Sequence, residues 1–283
     1  MFESTDICAI IVSYNCDRKI IDNIGSLLDQ VKHVVVYDNG STDLDSINIL
    51  RSFEGNEKVE IYLFNTNEGV SIRLNQGLDL AKQRGYKLLL TMDQDTILES
   101  NCVEEMLNVL NTNTKIVSVG PNRKRSINNK SLYTIVNYLI TSGNLSIIDD
   151  ALFVGGYYNK LFIDKVDIDF SFALRKNGFM IAVANNAYMI HKVGEYETNT
   201  IMGFKVKYLS HSPKRFYYIY RNALLVLRRY FHSLPIDCTK MMLIQIFEFA
   251  KMVVFEKDRK EKIICVKKGI LDGLKNEEQR RLV

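Results

Sequence analysis

Asp93-Gln94-Asp95 places two carboxylates one residue apart at the close of an apolar run, Tyr86–Met92. Carboxylates so spaced at the start of a loop can reach a single hard divalent cation. Such ions take oxygen ligands and commonly bridge protein carboxylates to substrate phosphates. The competing reading is that Asp95 caps a helix beginning near Glu99, a frequent role for aspartate. A second acidic motif, Asp38-Asn39-Gly40-Ser41-Thr42-Asp43, ends another apolar run. Asn39-Gly40 is a turn signal and Ser41 to Asp43 supply capping side chains. Neither role accounts for Asp38, which a strand end would direct toward a ligand.

Asp164, Asp167 and Asp169 form a second carboxylate constellation, far along the chain from the first. A single-displacement reaction at a hydroxyl needs a general base on the face opposite the leaving group. A carboxylate facing the same crevice suits that role. Asp167 or Asp169 could equally cap a helix that runs through Arg175 and stops at Asn177-Gly178. His191, in His191-Lys192-Val193-Gly194, follows a strand-like run, and on its own reads as a structural histidine.

The elements that would carry these residues alternate. Ile7–Asn15, Val31–Asp38, Val59–Phe64 and Tyr86–Met92 read as strands. Apolar runs bounded by polar residues suit strands buried on both faces. Helical patterns lie near Arg18–Asp29, Asp43–Phe53, Ser71–Arg84 and Glu99–Leu110. Such βα repeats predict an α/β fold with a doubly wound, mostly parallel sheet, whose ligands bind beyond the carboxyl ends of the strands. The polar residues ending the four strands are Ser13-Tyr14-Asn15, Asp38-Asn39-Gly40, Asn65 with Asn67, and Asp93-Gln94-Asp95. All four sets fall on one edge, which core packing does not require.

The chain has 283 residues, 47% of them hydrophobic, enough for one large α/β domain and an appendage. Five scattered cysteines without C-x-x-C spacing read as reduced thiols rather than a disulfide frame or zinc site. Glu3 and Asp6 precede any apolar run, unlike a secretory signal, and no stretch approaches the ~18 apolar residues of a spanning helix. These features predict a cytoplasmic protein, or one peripheral on the inner face of the cell membrane.

Charge divides the chain. Residues 1–203 hold 19 Lys and Arg against 25 Asp and Glu, whereas residues 204–283 hold 18 against 8. The expected organisation is a catalytic domain over 1–203 and a basic, amphipathic helical extension over 204–283. Its helices are predicted at Phe216–Phe231 and Lys240–Glu256. An anionic membrane surface is one partner for such a tail, with Arg228, Arg229, Lys251 and Lys257 as contacts. A cap on the domain or a homodimer interface is the other reading, and no nucleic-acid partner is expected.

The ordered set Ile10-Ile-Val-Ser-Tyr-Asn15, Asp38 to Asp43, Asn67-x-Gly69, Asn75-x-Gly77 and Asp93-Gln-Asp95 resembles the family 2 glycosyltransferases over residues 5–195. Ser142-Gly-Asn144, Phe162 to Asp169 and the aromatic segment ending at Arg221-Asn222 resemble the bacterial rhamnosyltransferase branch. The resemblance implies a glycosyltransferase A-type fold and a metal-dependent, inverting hexosyltransferase. Its donor would be dTDP-L-rhamnose or a UDP-sugar, its cofactor Mg²⁺ or Mn²⁺, and its acceptor a glycan or lipid-linked glycan in polysaccharide biosynthesis. Residue by residue, it implies that Ser13, Tyr14, Asn15 and Asp38 hold the nucleoside. Asn67 and Arg73 would lie near base or diphosphate, Asp93 near ribose or metal, Asp95 on the metal, and His191, in a pattern similar to the H-x-x-G of relatives, near the metal or diphosphate. Asp167 matches the place of the base best, with Asp169 and Asp164 as alternatives. One departure is Ala173, where relatives often carry an arginine; here the nearest is Arg175.

Other classes fit less well. A nucleotidylyltransferase would open with a glycine-rich, basic loop after its first strand, and Ser13 to Asp17 offers neither. A processive synthase needs a Q-x-x-R-W segment, and the chain has no Trp. A non-catalytic nucleotide-sugar binder would bind the donor without turning it over.

Overall fold

The computed structural model describes residues 1–123, 131–191, 196–201, 204–209, 211–256 and 258–275. Of the residues singled out above, Lys192, Val193, Gly194 and Lys257 lie outside this set. The chain forms two compact units: residues 1–159 with 166–191, and residues 160–165 with 192–283.

The first unit opens with the alternation its sequence predicts. The elements are β1 (Ile7–Ser13), α1 (Lys19–Gly25), β2 (His33–Asp38), α2 (Leu44–Arg51), β3 (Val59–Leu63), α3 (Val70–Gln83) and β4 (Leu88–Asp93). These four strands pair in parallel in the order β3-β2-β1-β4. The helix α3 lies tight on β1 at Gly77, where an added Cβ would come within 2.7 Å of Ile10 Cγ1. Ile7, Ala9, Ile11, Val34, Val36, Leu88 and Leu90 lie in one core cluster that the helices cover.

Beyond β4 the pattern changes. The sequence continues through β5 (Thr96–Leu98), α4 (Cys102–Leu110), β6 (Ile116–Asn122), β7 (Tyr133–Ile135), β8 (Asn144–Ile147), α5 (Ile148–Phe153), α6 (Val166–Lys176) and β9 (Met180–His191). The strand β8 runs antiparallel between β4 and β6; β9 pairs parallel with β6 and antiparallel with β5 and β7. Together they make a nine-stranded α/β sheet among the described residues, with the parallel block at its N-terminal side.

In the second unit, β10 (Tyr196–Ile201) and β11 (Phe204–Leu209) form an antiparallel pair. Three helices follow: α7 (Pro213–Tyr230), α8 (Pro235–Phe255) and α9 (Arg259–Lys275). The backbones of α7 and α9 approach closely because Gly269 and Gly273 face α7. A Cβ on Gly273 would sit 2.9 Å from the Arg221 carbonyl oxygen, and one on Gly269 would overlap that of Tyr217. The aromatic segment of α7 lies inside this unit, whereas Arg228 and Arg229, the contacts expected on this helix, are exposed. Phe216, Tyr217, Tyr218, Tyr220, Arg221 and Asn222 are all buried. Tyr217 Oη donates to Asp272 at 2.9 Å and Tyr220 Oη to the Gln245 carbonyl at 2.9 Å. Arg228 donates to the carbonyls of Gly273 and Leu274, and so caps the C-terminal end of α9.

Candidate active site

Parallel register sets the strand ends side by side. Ser13 is opposite Asp38 and Val12 opposite Asp93, so the β1, β2 and β4 termini share one edge. Asp38 is 1% exposed. Its Oδ1 accepts from the hydroxyls of Ser13 (3.5 Å) and Ser41, and its Oδ2 from the Ser41 amide at 2.9 Å. Asn15 sits at φ 46, in the left-handed region that asparagine tolerates. From there its amide donates to Ser41 Oγ at 2.7 Å and its side chain accepts from the Thr42 amide at 3.0 Å. Tyr14, 44% exposed, stands between them, and its amide donates to Gln94 Oε1 at 2.8 Å.

Asn39, which the sequence shows only as half of a turn signal, is a hub. Its Nδ2 donates to Asn67 Oδ1 at 2.9 Å, and its Oδ1 accepts from the Glu68 amide at 3.1 Å and from Arg73 Nε at 2.9 Å. Gly40 beside it has φ 81, and an added Cβ would lie 2.6 Å from the Thr66 carbonyl carbon; no other residue fits. Arg73 is 1% exposed. Its guanidinium lies 3.5 Å over the Phe64 ring and also donates to Gln76, to the Thr66 carbonyl and to Glu68. Arg73 thus braces the loop that carries Asn67. Asn75 braces a second loop in the same way. Its side chain accepts from the Tyr157 amide at 2.8 Å and donates to the Tyr157 carbonyl and Asn159.

The remaining edge residues converge. The antiparallel pairing of β5 with β9 puts Thr96 opposite His191. Ligand atoms of Asp93, Asp95 and His191 consequently lie within 4.8 Å of one another. Asp93 is half-buried, Asp95 is exposed, and His191 Nδ1 lies 4.0 Å from Asp95 Oδ1. Burial pushes the His191 imidazole below its ordinary value; the Asp95 carboxylate opposes the shift and Arg123 adds to it. A neutral imidazole and two carboxylates are a donor set that fits a divalent cation. Asp95 does not cap a helix: α4 starts at Cys102, after Asn101. A chain of short contacts holds the cluster. The Asp93 amide donates to Ser142 Oγ (3.0 Å), Ser142 Oγ to Thr96 Oγ1 (2.7 Å), and Thr96 Oγ1 lies 2.6 Å from His191 Nδ1. Asn23 donates to the Asp93 and Thr96 carbonyls. Thr96 and Asn23 are the parts of this site that no sequence motif marks. A cavity of about 440 Å³ borders Ser142, with Pro121, Arg123, Asn137, Tyr138 and Met189 in its wall.

The three later carboxylates are in different surroundings. Asp167 is half-buried in the first turn of α6, where its Oδ1 accepts from the Ile168 amide at 2.8 Å. Asp169 is 0% exposed. Asp164, at φ 63, belongs to the second unit, where Arg215 pairs with it at 3.0 Å. Arg221 and Asn222 hold the backbone around it through the carbonyls of Lys160, Ile163 and Asp164. Arg175 donates to the Asn137 carbonyl at 3.0 Å.

Residues 8–179 match the glycosyl transferase family 2 profile. The chain belongs to that family. It is a glycosyltransferase with the glycosyltransferase A-type fold. A dTDP-rhamnosyl transferase of Shigella flexneri is 26% identical over 305 aligned positions, covering 96% of each chain. A poly-β-1,6-N-acetyl-D-glucosamine synthase of Staphylococcus epidermidis is 26% identical over 125 positions, 43% of this chain and 29% of that one. Among solved structures, S. aureus TarS 1–349 in complex with UDP-GlcNAc superimposes with a TM-score of 0.56 at 16% identity, over 95% of this glycosyltransferase and 80% of that chain. GalNAc-T7 with UDP, GalNAc and Mn²⁺ gives 0.61 at 11%, over 95% and 56%. The longer TarS structure is spanned over only 44% of its length. No helix among the described residues is long and apolar enough to cross a membrane.

Proposed function

We propose that this glycosyltransferase moves L-rhamnose from dTDP-L-rhamnose to a hydroxyl of a glycan or lipid-linked glycan, with inversion at the anomeric carbon. The observation that carries the reading is the convergence of Asp93, Asp95 and His191 within 4.8 Å at the carboxyl edge of the parallel strands. The Shigella relative, similar over nearly the whole of both chains, supports the choice of donor.

In this reading the Ser13–Asn15 strand end and Asp38 hold the nucleoside, with Asn67 beside it, and Arg73 positions that loop. Asp93, Asp95 and His191 hold Mg²⁺ or Mn²⁺, which when bound neutralises charge gathering on the diphosphate. The acceptor oxygen attacks the anomeric carbon, the bond from that carbon to the diphosphate oxygen breaks, and Asp167 takes the hydroxyl proton. Asp167 is preferred because it matches the place of the base in the family and is half-buried, whereas Asp169 is enclosed.

The test is a donor screen on the purified protein. Thermal shift with dTDP-rhamnose, UDP-sugars and their free nucleotides, each with and without Mn²⁺, should single out dTDP-rhamnose, because ligands selective for the native state raise its stability. Transfer or hydrolysis of that donor should follow. Preference for a UDP-sugar would reassign the donor; binding without turnover would make the protein a nucleotide-sugar binder.

A further inference from the structure

The second unit carries a surface that the transfer reaction does not use. Its helix α8 is apolar on two opposite faces. Cys238, Met241, Gln245 and Met252 repeat at helical spacing and are buried. The stripe at the opposite angle, Ile236, Leu243, Phe247 and Val254, is 56–68% exposed, and Ile246 beside it is 62% exposed. Helix α9 repeats the pattern more weakly, with Ile264 at 66% and Leu274 at 52% exposed. Isolated exposed apolar residues are ordinary on protein surfaces, but a continuous helical stripe marks an interaction surface.

Charge identifies the occupant. Lys240, Lys260, Lys267 and Lys268 on the same helices are exposed. Several acids that could offset them are otherwise engaged: Glu248 with Lys251, Glu256 with Lys262, and Asp272 with the Tyr217 hydroxyl. Residues 204–283 hold 18 basic residues against 8 acidic ones, and the exposed acids among the described residues here, Asp258 and Glu261, are fewer than the four exposed lysines. Two copies meeting on these helices would bring like charges together, whereas an anionic bilayer offers both hydrocarbon and opposite charge. We infer that α8 and α9 lie in the interface of an anionic membrane, with Leu243 and Phe247 entering the acyl boundary and Lys240, Lys267 and Lys268 meeting headgroups. The contact set differs from the one the sequence suggests, because Arg228 caps α9 and Lys251 is paired with Glu248. A helix with an apolar face and a lysine-rich flank lies in the interface plane rather than across it.

The full-length protein should co-sediment with vesicles of phosphatidylcholine and phosphatidylglycerol, and at least roughly tenfold less with phosphatidylcholine alone. Raising salt should weaken the binding, since the attraction reaches only about one Debye length. Each of Lys267→Gln and Lys268→Gln should cost about fivefold in partitioning. The Leu243→Ser, Phe247→Ser double variant should lose binding at every salt concentration; circular dichroism checks that it folds. Equal binding to both vesicle types, or none at low salt, overturns the inference. So does a dimer, seen by light scattering, that Phe247→Ser dissociates while the wild-type protein ignores vesicles; the stripe then belongs to a second copy.

Discussion

Thr96 Oγ1 lies 2.6 Å from His191 Nδ1, and that contact links two segments far apart in the chain into one candidate metal site. Thr96 accepts from Ser142, which itself accepts from the Asp93 amide, so the same chain of bonds that sets the imidazole also orients the first carboxylate. Groups behind metal ligands set their orientation and commonly govern about 10–100-fold in affinity. Thr96→Val should weaken Mn²⁺ binding, read by electron paramagnetic resonance or calorimetry, by about that factor. Thr96→Ser should restore it. Unchanged affinity in the valine variant would reduce the contact to packing.

Asp95 offers the most exposed carboxylate of the cluster and makes the simplest test of cation dependence. Asp95→Ala should abolish transfer and should weaken dTDP binding only when Mn²⁺ is present. The wild-type protein in excess EDTA should behave like the variant. Full activity under either condition would remove the cation from the reaction.

Asp167→Asn keeps the size and the capping ability of the side chain but cannot accept a proton. Turnover should fall by about 10²–10⁴ while donor affinity stays within a few-fold. If Asp169→Asn gives that split instead, the buried carboxylate is the base; if Asp164→Asn does, the base is the one paired with Arg215.

The legible part of this molecule is the part where one strand type repeats. Three buried parallel strands, β1, β2 and β4, leave apolar runs beside the half-buried edge strand β3, and their polar ends therefore line up in the sequence as they do on the sheet. The strand β5 is three residues long, too short to show any period, so nothing in the sequence tells that Thr96 pairs with His191. The strand β8 begins at the last residue of Ser142-Gly143-Asn144, where Gly143 at φ 78 turns the chain back beside β4; that triplet is visible in the sequence, but its antiparallel partner is not. The helix α9 escapes sequence reading because its exposed face mixes lysines with isoleucines. The signal that marks it is Gly269 and Gly273, four apart, which permit the close approach to α7. The aromatic segment of α7 stays ambiguous in the sequence for a related reason. Tyrosine suits both a membrane interface and a core with hydrogen-bond partners, and here each hydroxyl of Tyr217 and Tyr220 finds one.

Lys262 and Glu256 form an ion pair inside the second unit, with side chains 3% and 4% exposed. The Lys262 ammonium also lies 5.5 Å from the Phe216 ring centre. Removing one partner of a buried ion pair commonly costs about 3–5 kcal/mol. Lys262→Met should therefore lower the denaturation midpoint of this unit sharply. Replacing both residues with apolar ones of similar volume should recover most of the loss. A single variant as stable as the wild type would mean that Glu256 is reached by water or by another cation.

Acid stability should report a pair on the first unit. Arg84 donates to both oxygens of Glu60, at 2.7 and 2.9 Å, and Tyr62 adds a third bond at 2.8 Å. The Arg84 bonds hold the Glu60 carboxyl down at about 2, against the opposing effect of partial burial. A folded-state pKa below the unfolded one means the carboxylate stabilises the fold above the unfolded value, near 4.5, and that this contribution drains away as pH falls toward about 2. The Glu60 side chain is 35% exposed, so solvent screening limits the contribution to about 1 kcal/mol. Urea midpoints measured from pH 6 down to pH 2 should fall less steeply in Arg84→Gln than in the wild type, with the two curves meeting at the acid end. Parallel curves throughout would show that Arg84 stabilises by packing along β3 rather than by its charge on Glu60.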